Sequence, residues 1–144
     1  MKTITKISFI CFLIICIGEM LIAFRFLTAS QIMDYHQVAM GCSWDNLPAG
    51  MQTMTLNFLR TAGLGFLITG LAILFILIFP FQRGEHWSKW ALVSIGLVQS
   101  IIMGIIVYSV RRHTPATPPL SPFVISGILS FIGFLTYQGT KSSI

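Results

Sequence analysis

Two stretches of this sequence run without a charge for the full thickness of a bilayer. Residues 61–82 hold 22 positions with no Asp, Glu, Lys or Arg, and residues 91–110 hold 20 more. At about 1.5 Å of rise per residue, roughly 20 helical residues cross a hydrocarbon core of about 30 Å. The sequence therefore predicts helices, because an open sheet edge cannot sit in lipid and no alternating strand pattern appears. Composition agrees: of 144 residues 55% are apolar and only 9% charged, where a soluble domain carries about 25% charged residues. The mean hydropathy of +0.84 is opposite in sign to that of disordered chains. The expected fold class is all-α, a single integral membrane four-helix bundle spanning residues 1–144.

Four spans are expected, at about 7–27, 51–80, 87–110 and 121–138. The first follows Lys2 and Lys6, as a signal peptide would. Its apolar stretch is longer than the usual h-region and contains Glu19, so a retained helix is expected. Pro80 closes the second span, and Ser121-Pro122 reads as an N-cap followed by a first-turn proline opening the fourth. Between the first two spans, Ile32, Met33, Tyr35, His36, Ala39 and Met40 put apolar bulk on one side of a short helix that Gly41 would stop. This segment reads as an interfacial helix lying on the mouth of the bundle. Pro115, Pro118, Pro119 and Pro122 make the third connection an extended, polyproline-like one.

With four spans both termini share a side. That side carries Lys2, Lys6, Arg83, Lys89 and Lys141, with Trp87 and Trp90 beside them. The other carries Arg25, Arg111 and Arg112, plus Arg60 if it snorkels. The excess places both termini in the cytoplasm. The net charge of +5 is spread over helix ends, which fits topology control and anionic head groups and not a nucleic-acid stripe.

Ionisable residues inside a span are costly and usually face the bundle interior or water. Glu19 lies about 18 Å along its helix from Ile7, leaving about 12 Å to the outer face. Arg60 lies about 13 Å in from that face, counted from Met51. An ion pair between Glu19 and Arg60 is expected from this arithmetic, either as glue or as part of a site. Thr53, Asn57, Arg60 and Thr61 form one polar stripe, with Gln99 and Tyr108 on the third span. The candidate ligand-binding set is Glu19, Asn57, Arg60, Gln99 and Tyr108, lining a small polar pocket in the outer half. The small residues Thr61, Gly65 and Thr69, then Gly96, Ser100 and Gly104, then Ser126 and Ser130, read as stripes for close helix contact.

Asp34, His36, Cys42, Asp45 and His113 fall on the outer side but match no metal-ligand spacing, so no metal is expected. Cys11, Cys16 and Cys42 make no disulfide framework. No histidine pair inside the spans suggests haem, and no phosphate loop or nucleophile elbow is present. No catalytic residue and no cofactor is expected.

Four stretches, residues 42–52 (CSWDNLPAGMQ), 59–65 (LRTAGLG), 83–92 (RGEHWSKWAL) and 112–119 (RHTPATPP), resemble a group of small bacterial membrane proteins. More loosely, the layout is similar to DoxX-like four-helix membrane proteins. The resemblance covers about residues 25–135 and implies a four-helix layout in a bacterial cytoplasmic membrane. It implies no activity, and Glu19 lies outside it. The functional expectation is a non-catalytic accessory or structural partner in the bilayer, as a homo-oligomer or in a larger membrane complex, without nucleic acid. The alternatives are a small-molecule or lipid binder using the outer-half polar pocket and a membrane redox subunit partnering a quinone.

Overall fold

The computed structural model describes residues 3–138; Lys2 and Lys141 lie outside them. The described residues are helical, with no strand among them. Helix α1 is Thr3–Leu27, α2 is Asp34–Met40, α3 is Ala49–Ile76, α4 is His86–His113 and α5 is Ser121–Thr136. A 3-10 turn, Trp44–Asn46, joins α2 to α3, and a π turn, Leu77–Phe81, extends α3. Three helical stretches, Lys6–Leu27, Ala49–Phe81 and His86–His113, are long and apolar enough to cross a membrane. The fourth long apolar helix, α5, has 16 residues.

Local chemistry explains the ends. Gly41 stops α2 in the left-handed conformation at φ 70°, which an L side chain resists. Pro80 lacks the N–H that would continue the α ladder. The helix widens to a π turn around it, and Phe81 is carried into the core at 1% exposure. Gly84, at φ 78°, then reverses the chain, and the Glu85 N–H donates to the Pro80 carbonyl at 3.0 Å. At α5 the cap differs from the expected one. The Leu120 carbonyl accepts from the N–H groups of Phe123 and Val124, so Leu120 is the cap, with Ser121 and Pro122 already in the helix. Proline is tolerated there because first-turn N–H groups have no intrahelical partner.

Helix α1 runs antiparallel between α3 and α5, and α4 packs along α5. Glycines set these contacts. A Cβ on Gly63 would lie 2.9 Å from Phe26 Cβ, and one on Gly133 would lie 2.8 Å from the Phe12 ring. Such close approach gains dispersion contacts between the helices. The N-terminal end of α1, the turn at 82–85 and the end of α5 gather at one end of the bundle, the turn end. There Ser8 Oγ donates to the Gly133 carbonyl at 2.6 Å, and Tyr137 Oη to the Glu85 carbonyl at 3.2 Å. Phe12, Ile73, Leu77, Phe81, Leu92 and Val93 fill the core just inside it. Lys89 lies over the Phe134 ring at 4.7 Å.

Helix α2 and the 114–120 connector close the opposite, loop end. The connector is extended, as its prolines predict, and Arg111 Nε donates to the Pro118 carbonyl at 2.8 Å. Large apolar side chains cover the outside, among them Ile68, Ile105 and Phe131.

Candidate functional site: a capped apolar cavity

Three seams of the bundle are closed by packing, α3 to α1, α1 to α5 and α5 to α4. Helices α3 and α4 touch far less. They are joined by the tight turn and by the aromatic core beside it. Toward the loop end they part, and a cavity of about 930 Å³ fills the gap. Its deep end is marked by Leu21, Thr69 and Gln99, and its walls include Phe58, Phe66, Met103, Ile106 and Val107. Pro118, Pro119 and Phe123 close it on the α5 side. The lining is overwhelmingly apolar, and the volume is that of a small-molecule site.

Helix α2 forms the roof, presenting Tyr35, His36, Ala39 and Met40 to the cavity. A second apolar cluster anchors it: Ile32, at 2% exposure, packs with Ala29 and Leu59. Two glutamines brace the turn that follows. The Trp44 N–H donates to Gln37 Oε1 at 2.8 Å, and Gln52 Nε2 donates to the Trp44 carbonyl at 2.9 Å. Arg25 stands at the rim, lining both the cavity and a smaller polar hollow at 28–35. Burial pushes the Tyr35 phenol above its ordinary range, with the Arg25 charge acting in the opposite direction. Burial also holds His36 below its ordinary value of 6.5, so the roof carries a neutral imidazole at neutral pH.

Of the five residues expected to line a pocket, Gln99 does so. Asn57, Arg60 and Tyr108 are exposed on the outside, and Glu19 is buried at 4% exposure on the bundle axis below the cavity. Thr53 and Thr61 are exposed with Asn57, so the α3 stripe faces outward; Thr53 and Thr61 bond the carbonyls four residues back.

The Glu19–Arg60 ion pair is not formed. Glu19 Oε2 has no hydrogen-bond partner, and Glu19 Cβ sits 3.4 Å from where a Cβ on Gly70 would be. Gly70 is ten residues beyond Arg60, about 15 Å along α3. The depth arithmetic failed because α3 overshoots α1 at the loop end. Leu59, next to Arg60, packs against Ala29 and Ile32, beyond the last residue of α1.

The small-residue stripes divide. Gly96 abuts Ser130, and a Cβ on Gly127 would lie 3.5 Å from Ser100 Cβ, so the α4–α5 stripe is a helix contact as expected. Gly65 and Gly104 have nothing within 4 Å of a Cβ, and Gly65 and Thr69 line the cavity. The stripe on α3 thus faces empty space within this chain, and Gly63 and Gly70 make the contact with α1 instead. Sequence reasoning missed the aromatic and methionine lining, since an apolar side chain facing a cavity, a core or lipid gives the same periodic signal. Among the described residues no three of His, Cys, Asp and Glu come together as a metal set.

No family model, no curated protein and no solved structure matches the chain.

Proposed function

We propose that this chain is a four-span membrane protein that takes a lipid from the bilayer into the cavity between α3 and α4 and holds it without chemical change. The observation that carries this is the cavity itself: apolar, about 930 Å³, roofed by α2, and placed at the bundle's one loosely packed seam. A ligand entering there moves from one apolar medium to another, so hydrocarbon needs no aqueous passage. Arg25 at the rim suits an anionic head group such as a phosphate, and the walls suit acyl chains.

Membrane placement is supported by the charges at the helix ends. Lys6, Arg83 and Lys89 bracket the turn end, and Arg25, Arg60 and Arg111 the loop end. From Lys6 to Arg25 a helix rises about 28 Å, and from Arg60 to Gln82 about 33 Å, both near the thickness of a hydrocarbon core. The turn end also carries Trp87 and Trp90, exposed as an aromatic belt would be, which supports an interfacial position for that end. The helical layout is in keeping with kinship to DoxX-like membrane proteins, which forms part of this proposal. An accessory role in a larger membrane assembly is compatible with lipid holding.

Native mass spectrometry of the gently purified protein tests the reading. Retained phospholipid is expected at one per chain, and it should be lost in Gly65→Phe, which puts a ring into the open space at that position while leaving helix contacts untouched. Lipid retained equally by Gly65→Phe would place it outside the cavity and end the proposal.

A further inference from the structure

Four side-chain oxygens among the described residues are buried with no hydrogen-bond partner: Glu19 Oε2 and the hydroxyls of Ser100, Ser126 and Ser130. They come from three helices, yet the packing register brings them to neighbouring levels of the bundle axis. Ile15 on α1 approaches the contact between Gly96 and Ser130. Helices α1 and α5 are antiparallel, so one turn further along α1 corresponds to one turn back along α5. Glu19 therefore stands level with Ser126. Ser100 reaches nearly the same level through its contact with Gly127. On the fourth side is Gly70, against which Met20 and Glu19 pack closely and whose carbonyl accepts from Cys16 Sγ at 3.3 Å.

These hydroxyls differ from several helical ones among the described residues. A helical serine or threonine commonly bonds the carbonyl four residues back. Thr53, Thr61, Thr69 and Thr136 all do so here. Ser100, Ser126 and Ser130 do not, and no two of the four orphan oxygens reach one another.

A buried carboxylate is costly unless its charge is met. The chain offers no Lys, Arg or His within 61–82, 91–110 or 121–138, the stretches of α3, α4 and α5 that surround this level. One guest that is positive, small and bonded through oxygen would answer both the charge and the orphan hydroxyls. A single carboxylate balances a single positive charge, whereas Ca²⁺ sites gather six to eight oxygens, usually with several carboxylates. Hydroxyl and carboxylate oxygens suit hard cations. The cavity supplies a way in: Gln99 and Thr69 at its deep end are the chain neighbours of Ser100 and Gly70.

We propose that Glu19, Ser100 and Ser126, with Ser130 one turn toward the turn end, bind one small monovalent cation of the sodium class in the interior of the bundle. The site lies below the lipid cavity and shares none of its lining residues, so either proposal can fail alone.

The test uses the full chain in nanodiscs, with sodium chloride compared against choline chloride at matched ionic strength. Sodium should raise the thermal midpoint, and radioactive sodium should bind at one ion per chain. Glu19→Gln should abolish both effects, and Ser100→Ala or Ser126→Ala should weaken sodium binding by roughly tenfold. If Glu19→Gln does not fold, the serine variants decide, and unchanged sodium affinity in both overturns the site. Equal midpoints and no bound sodium in the wild-type protein also overturn it. A carboxylic-acid carbonyl band in the infrared, lost in a folded Glu19→Gln, would then identify a proton as the guest.

Discussion

At the scale of single residues, the glycines of α3 separate two physical environments that one repeat in the sequence does not distinguish. Gly63 faces α1, where a Cβ would meet Phe26 Cβ at 2.9 Å and the Leu27 backbone nitrogen at 3.2 Å. Backbone cannot step aside as a flexible side-chain tip can. Gly63→Ala is expected to push α1 and α3 apart and cost about 1–3 kcal/mol, the range of overpacked cores. Gly65 has open space, so Gly65→Ala should be neutral or gain up to about 1 kcal/mol from helix propensity. Unfolding of both variants in mixed micelles checks the contrast, and equal losses would contradict the packing described. Glu19 makes a related point. Its presence inside a span was legible from the sequence, but its neighbours were not, because depth along one helix fixes nothing until the register against the next is known.

At the scale of elements, the helices were largely readable. Long uncharged runs, the Gly41 stop and the proline-rich connector each have a direct physical consequence, and α1 to α5 follow from them. What the sequence concealed was where helices begin relative to one another. Helix α3 starts at Ala49 and runs through the π turn to Phe81, so its first turns lie beyond the end of α1. The cavity was equally hidden, being built from the same Phe, Met, Ile and Val that fill cores. Polar groups are few among its lining: Arg25, Tyr35, His36, Thr55, Thr69 and Gln99.

Roof helix α2 carries the pH dependence. His36 is neutral when docked, because burial lowers its proton affinity below that of a free imidazole. The undocked helix binds the proton more readily, so docking is at full strength above pH 6.5 and weakens as pH falls below it. Hydrogen exchange of residues 34–40, corrected for intrinsic rates, should show faster opening at mildly acidic than at neutral pH. His36→Phe should remove that difference. The same acceleration in the variant would assign the effect to another group.

At the scale of the whole molecule, Cys42 offers a direct reading of orientation. Cys11 and Cys16 are buried, whereas Cys42 is partly exposed at the loop end. In intact cells a membrane-impermeant maleimide should label the wild-type chain from outside and fail to label Cys42→Ser. Labelling that requires breaking the cells would invert the proposed topology.

Under the proposed membrane placement, the shortness of α5 has a consequence for the bilayer around it. Its 16 residues rise about 24 Å, some 6 Å less than an average hydrocarbon core. On the opposite flank the continuous helix Ala49–Phe81, 33 residues long, rises about 50 Å. In lipid, the membrane must thin against α5 and can keep its full thickness against α3, at a modest energy for each ångström of mismatch. The protein would then sit in a sloping bilayer, with shorter-chain lipids gathering on the α5 flank.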